Sequence, residues 1–297
     1  MISVDAVIAA AREAGEAIQR VRADAFDVEQ KRDSAGPVTE ADRQADALLK
    51  DRLLDLDPCA WLSEETADSR ARLAAPRLWV VDPLDGTKEF IEGVPQYTVA
   101  IALVDDGRPV LGVVHNPATG ETFWAERGKG AYFGKGEAGR AEPIGVQGAR
   151  GKGQREEGSG KRITVAEGAT VLASRSEIRR GEFEPFEHDW DLRPIGSIQY
   201  KLALVAAGEA AVTWSRGPKH EWDVCAGALI VEEAGGIATD LFGHPLVFNQ
   251  PFPKTKGVLA GAPETYARAL KALRRTGASD RMREVQKAEG RRPKGEG

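Results

Sequence analysis

The chain has 297 residues, 41% of them hydrophobic, enough for one large core or two modest ones. Its net charge of −5 is small and both signs are interspersed, so no field favours a nucleic acid polymer or a membrane, and a small soluble substrate is the expected partner. Two cysteines, Cys59 and Cys225, and four scattered histidines make neither a disulfide scaffold nor a zinc site.

At the N-terminus, acidic from Asp5 on, there is no signal-peptide pattern, and no apolar run approaches the roughly 18 residues of a membrane span, so a cytoplasmic location is expected. Val4, Val7, Ile8, Ala11, Ile18 and Val21 recur at helical spacing within 4–22, as do Ala41, Ala45, Leu48, Leu49 and Leu53 within 40–56, predicting two amphipathic helices. Thr39-Glu-Ala-Asp42 has the spacing of a capping box that opens the second helix. After Pro58, Leu78-Trp-Val-Val81 reads as a short buried strand that delivers Asp82 at its C-terminal end.

Residues 97–104, 110–116 and 121–125 read as β-strands joined by hairpin turns at Asp105-Asp-Gly107 and Pro117-Ala-Thr-Gly120. Nine glycines interleaved with charges between 134 and 160 leave little to bury, so 134–162 reads as a mobile Gly-rich insertion. Beyond it come a strand at 171–173, a helix from about 197 to 207, a strand at 210–214 and a helix at 223–234, an α/β alternation. Residues 276–297 read as a flexible basic tail. The expected organisation is thus an α+β metal-binding lobe at 1–133 and an α/β lobe at 163–275.

The chemical signal is a set of carboxylates at breaks in secondary structure: Asp42, Glu64, Glu65, Asp82, Asp85 and Asp223. Pro83 removes a backbone donor and Gly86 permits a turn that a side chain would obstruct, so Asp82-Pro-Leu-Asp85-Gly-Thr87 can aim two carboxylates at one point. Clustered carboxylates raise one another's pKa, and a set with no histidine or cysteine calls for a hard divalent cation, magnesium above all. Each distant member also has a plainer reading: Asp42 as a capping residue, Glu64-Glu65 as a solvated loop, Asp223 and Ser197 as helix N-caps.

Four segments in chain order resemble motifs of the inositol monophosphatase superfamily, the lithium-sensitive, magnesium-dependent sugar phosphatases: Pro37-Val-Thr-Glu-Ala-Asp42, Ser63-Glu-Glu65, Trp79-Val-Val-Asp-Pro-Leu-Asp-Gly-Thr-Lys-Glu-Phe90 and Glu221-Trp-Asp-Val-Cys-Ala-Gly227. The resemblance implies a layered αβαβα sugar-phosphatase fold of two closely packed lobes, in a monomer or homodimer. It implies two or three Mg2+ ions per site, held by Glu64, Asp82, Asp85, Asp223 and the carbonyl of Leu84. Asp42, Glu64 and Thr87 would then act on the attacking water, in an in-line displacement with no covalent intermediate.

Lys88-Glu89-Phe90 resembles the 3'(2'),5'-bisphosphate nucleotidase branch, called CysQ, which hydrolyses adenosine 3',5'-bisphosphate. That likeness makes Gly86, Thr87, Lys88, Ser174, Arg175, Ser197 and Lys201 the expected substrate contacts. Lys219-His220 before Glu221 and Val224 after Asp223 depart from the nucleotidase pattern, which keeps an inositol-1-phosphate or related sugar-phosphate phosphatase as the alternative. Haloacid-dehalogenase-like phosphatases separate their two aspartates by one residue; here Pro83 and Leu84 intervene, which favours an activated water over an aspartyl nucleophile. A non-catalytic binding protein on the same fold is disfavoured because every carboxylate position is filled.

Overall fold

The structure, a computed structural model, describes residues 2–24, 27–30, 37–136, 140–147 and 169–276. Most of the Gly-rich insertion and the tail beyond 276 lie outside the described residues.

The two opening helices form where the apolar spacing predicts them, α1 at Val4–Ala23 and α2 at Glu40–Leu56. Between them β1 (Val28–Gln30) and β2 (Pro37–Thr39) make a two-stranded ribbon, too short to leave a period in the sequence. There follow β3 (Ala60–Ser63), β4 (Arg77–Asp85), the short α3 (Thr87–Glu92), β5 (Thr98–Asp105), β6 (Arg108–Asn116), β7 (Glu121–Glu126), β8 (Gly130–Lys135) and β9 (Glu142–Ile144). The strands join in chain order into one seven-stranded sheet, antiparallel except for β3 with β4. β9 pairs with β8 inside the stretch expected to bury nothing, because Ile144 and the buried Val146 supply a short apolar edge among the glycines.

The second half contributes β10 (Thr170–Ala173), α4 (Arg175–Arg179), β11 (Asp191–Pro194), α5 (Ile198–Ala206), β12 (Val212–Ser215), β13 (Lys219–His220), α6 (Cys225–Glu233), β14 (Ile237–Thr239), β15 (Lys254–Thr255), β16 (Val258–Gly261) and α7 (Pro263–Arg275). Its five-stranded sheet has the order β11-β10-β12-β16-β14, with β10 parallel to both neighbours. β13 and β15 form a separate ribbon.

The composition of the helices dictates how these elements stack. α1 and α2 carry one apolar stripe each and cover one face of the large sheet, on Trp79, Val81, Val99, Ile101 and Val113. α5 is buried at all nine positions, Gln199 and Lys201 included, and α6 along Cys225–Val231, so both need cover on two faces. They lie between the sheets, packed on Leu78, Val80 and Ala102 of one and Leu172, Val258 and Ala260 of the other. A Cβ at Gly227 would stand 2.6 Å from Leu202 Cβ, so glycine sets how closely α6 approaches α5. The outer face of the small sheet meets α7 through Trp214, Phe183, Phe186, Tyr266 and Leu273. The result is the layered αβαβα arrangement.

Candidate active site

The site begins with a change of parity in β4. Side-chain alternation sends Leu78 and Val80 to the middle layer and Trp79 and Val81 towards α1 and α2. Pairing with β5 then runs from Asp82 opposite Ala100 to Asp85 opposite Thr98, three steps on β4 against two on β5. The extra residue makes a bulge across Pro83-Leu84, where the proline has no N–H to lose. Leu84 consequently rejoins Trp79 and Val81 in the outer layer, and Asp85 falls on the same face as Asp82.

Gly86 follows with φ +100°, and a Cβ there would stand 2.9 Å from the Gln96 carbonyl oxygen, so this position requires glycine. It caps α3. Thr87 Oγ1 then lies 3.1 Å from Asp42 Oδ1 and 3.2 Å from the Leu84 carbonyl oxygen. Asp42 serves both roles read for it: Oδ2 accepts the Thr39 N–H and hydroxyl, both at 2.7 Å, while Oδ1 faces Thr87.

Parallel pairing of Ser63 with Val81 places Glu64 beside Asp82, and the turn before α6 brings in Asp223 from the other half of the chain. Glu64, Asp82 and Asp223 each offer one carboxylate oxygen, and these lie within 4.8 Å of one another. Asp82 is 1% exposed, and burial, then Glu64, Asp85, Asp223 and Asp42, hold its carboxyl well above the usual carboxylate range. Such a cluster needs protons or a cation to neutralise it. Its all-oxygen donor set, without nitrogen or sulfur, fits a hard divalent cation. Asp223 is not the N-cap of α6, which is Val224; its Oδ2 accepts the His220 N–H at 2.8 Å and so stays ahead of the helix.

Asp85 is held from the second half of the chain. Ser197 Oγ donates to its Oδ2 at 2.6 Å and the Gln199 N–H at 2.7 Å. Burial raises the Asp85 carboxyl, and these two bonds oppose the rise. Ser197 also caps α5, accepting the Tyr200 N–H at 2.9 Å. Lys201, one turn on, is 3% exposed; burial lowers its ammonium to about 8, with Glu177, Asp85 and Glu89 pulling the other way. Lys88 is exposed, Ser174 Oγ pairs locally with Ser176 Oγ at 2.9 Å, and Arg175 Nε is buried without a hydrogen-bond partner among the described residues. None of these last three joins the carboxylate cluster.

One supporting carboxylate escapes the motif reading. Asp46, one helical turn after Asp42, accepts the hydroxyls of Ser63 at 2.5 Å and Thr66 at 2.7 Å, tying the Glu64 loop to α2. Its spacing of four residues from Asp42 was the available signal, since both then share one face of α2.

The sequence model of the inositol monophosphatase family matches residues 3–278. A 3'(2'),5'-bisphosphate nucleotidase CysQ of Escherichia coli O157:H7 is 38% identical over 251 residues, covering 82% of this chain and 92% of its own. A protein of Thermotoga maritima named fructose-1,6-bisphosphatase/inositol-1-monophosphatase is 33% identical over 235 residues, covering 78% and 82%. Among solved structures, CysQ of Bacteroides thetaiotaomicron superposes with TM-score 0.69 at 30% identity over 87% of this chain and 96% of its own. An IMPase of Thermotoga maritima gives 0.74 at 27% identity over 94% and 98%. These relatives are metal-dependent phosphatases of small phosphorylated substrates. The acidic centre described above sits on the same four motifs, and the chain belongs to the inositol monophosphatase family and is a phosphatase.

Proposed function

We propose that the chain is a Mg2+-dependent phosphomonoester hydrolase acting as a 3'(2'),5'-bisphosphate nucleotidase, converting adenosine 3',5'-bisphosphate to AMP and phosphate. The observation that carries the chemistry is the convergence of Glu64, Asp82 and Asp223 around a carboxyl buried and raised by its neighbours. Glu64, Asp82, Asp85, Asp223 and the Leu84 carbonyl would hold two or three ions. When bound, the cation supplies Lewis-acid polarisation of the phosphoryl oxygens and lowers the pKa of the attacking water.

The remaining work falls to the chain's own groups. Thr87 donates its proton towards Asp42 Oδ1, which leaves its oxygen lone pairs to accept a hydrogen bond from the attacking water and aim it. First-turn N–H groups of α3, beginning at Gly86 and Thr87, would be offered to phosphate oxygens. The exposed Lys88 would offer positive charge to a second phosphate, and Ser174, Arg175, Ser197 and the buried Lys201 would line the nucleotide side. The Lys88-Glu89-Phe90 segment and the 38% identity to a CysQ support the nucleotide over other phosphate esters.

Trp222-Asp223-Val224 and the Thermotoga maritima relative favour a second reading, an inositol-1-phosphate or sugar-bisphosphate phosphatase with the same mechanism. A phosphate-release panel separates the two: adenosine 3',5'-bisphosphate, its sulfated relative, inositol 1-phosphate and fructose 1,6-bisphosphate, each with Mg2+. The nucleotidase reading requires the highest kcat/KM on the adenosine bisphosphate. Equal or faster release from inositol 1-phosphate overturns it. Inhibition by millimolar-range lithium is expected with either substrate.

A further inference from the structure

Three carboxylates crowded within 4.8 Å repel one another in the absence of a cation, so something must hold their segments in place against that force. Glu64 and Asp223 arrive on different halves of the chain, and among the described residues no strand pairing joins their loops. Asp46 fastens one side of the Glu64 loop. On the other side, a polar chain centred on the buried Arg72 and Glu221 runs across to Asp223.

That chain starts four residues after Glu64, at Asp68, which accepts Arg72 Nε at 2.7 Å and Nη2 at 3.0 Å. Arg72, only 2% exposed, reaches across to Asn249 Oδ1 at 2.7 Å and to the Gln250 carbonyl at 3.0 Å. Asn249 returns a bond from Nδ2 to the Arg72 carbonyl at 3.1 Å. It does so with φ +61°, a left-handed conformation that asparagine tolerates better than most residues. The N–H groups of Asn249 and Gln250 both donate at 2.8 Å to the two oxygens of Glu221, which is 1% exposed and stands two residues before Asp223. Every guanidinium contact and both Glu221 oxygens are thus committed to one connection between the Glu64 segment and the Asp223 turn.

We infer that Asp68, Arg72, Asn249 and Glu221 form a brace that holds Glu64 and Asp223 at cation-binding separation, making Arg72, Asn249 and Glu221 positioning residues for divalent-cation affinity. The inference rests on the reading of Glu64, Asp82 and Asp223 as ligands. A carboxylate set preformed by a brace loses nothing to rearrangement when the ion arrives. Once cut loose, the same set relaxes apart in the metal-free state, and binding must first draw it together.

The test uses the full chain, with no substrate. Mg2+ is titrated by calorimetry and by thermal shift into wild type, Asn249→Gly, Arg72→Lys, Asn249→Asp and Tyr266→Phe. Glycine keeps the left-handed backbone but loses all three side-chain bonds, to the Arg72 guanidinium and to the Arg72 and Ala75 carbonyls; lysine keeps the charge but cannot make the fork. Aspartate retains an acceptor for Arg72. Tyr266→Phe removes a buried bond to Thr239 on the far side of the small sheet and serves as the control for lost stability alone.

The expected result is an Mg2+ midpoint raised about tenfold or more in Asn249→Gly and Arg72→Lys, near wild type in Tyr266→Phe, and restored to within about threefold in Asn249→Asp. KM for the phosphate ester at saturating Mg2+ changes by less than about twofold in the folded variants. An unchanged midpoint in Asn249→Gly and Arg72→Lys overturns the brace, as does an equal weakening in Tyr266→Phe. Failure of both brace variants to fold also overturns it, since the chain would then be an element of the fold. A wild type that takes up no Mg2+ instead refutes the underlying cation-site reading.

Discussion

Ser197 gives its hydroxyl proton to Asp85 at 2.6 Å, joining residues 112 apart in sequence across the contact between the second half of the chain and the end of β4. The same oxygen accepts the Tyr200 N–H, so one side chain both caps α5 and fixes the rotamer of a proposed cation ligand. Ser197→Ala removes both functions. The expected cost is about 1 kcal/mol of stability from the lost cap and about a 10- to 100-fold fall in kcat/KM from the misaligned carboxylate. Chemical denaturation and steady-state kinetics at saturating Mg2+ measure the two effects separately. A fall in stability with kcat/KM intact would leave Ser197 as a cap alone.

Asp82→Asn keeps the shape of the side chain and removes the most buried charge of the cluster. Activity is expected to fall by roughly three orders of magnitude or more, about 4 kcal/mol of transition-state stabilisation. The metal-free variant is expected to melt no lower than wild type, because a repelled carboxylate has been deleted. Residual activity near the wild-type rate would show that the reaction runs elsewhere.

Protons and cations compete for the same cluster, which fixes the sign of its pH dependence. A carboxyl raised above its ordinary range favours the metal-free fold fully below that range and loses this contribution as pH rises through its folded pKa. Cation binding requires the deprotonated form. The difference in melting temperature between Mg2+-loaded and EDTA-treated protein is therefore expected to widen as pH rises above the usual carboxylate range. In Asp82→Asn the widening should vanish. A difference independent of pH in wild type would contradict the shift.

Gly86→Ala places a methyl group 2.9 Å from the Gln96 carbonyl at a backbone φ of +100°. Strain and contact together are expected to cost about 2 kcal/mol or more, read as a lower denaturation midpoint. Since Thr87 follows directly, kcat should fall as well. Wild-type stability in this variant would mean that the turn relaxes freely.

The local parts of this site were legible because each leaves a mark within a few residues. The apolar run into Asp82, the Thr39-to-Asp42 spacing and the Asp85-Gly86-Thr87 turn all carry their own geometry, and the structure has a strand, a capping box and a helix start there. Arg72 and Asn249 leave no such mark, since what makes them significant is a partner up to 178 residues away. The same limit applies to the ribbons β1–β2 and β13–β15, whose strands of two or three residues are too short for alternation to be seen. α7 differs from these. Pro263 at its start and Tyr266, Ala269, Leu270 and Leu273 at helical spacing are an ordinary signal that a motif-led reading passes over.

The bulge at Pro83-Leu84 lets two carboxylates three residues apart in sequence share one face of β4. Were Asp82 to Asp85 paired step for step with β5, alternation would swing Asp85 out of the cluster into the hydrocarbon layer of α1 and α2. Deleting Pro83 or Leu84 would instead keep Asp85 on the Asp82 face but remove the bulge, and with it the position of the Leu84 carbonyl 3.2 Å from Thr87 Oγ1. Along this strand, exchanges of Val, Ile and Leu should be tolerated in many combinations. An irregularity of pairing, rather than side-chain chemistry alone, keeps the two carboxylates on speaking terms.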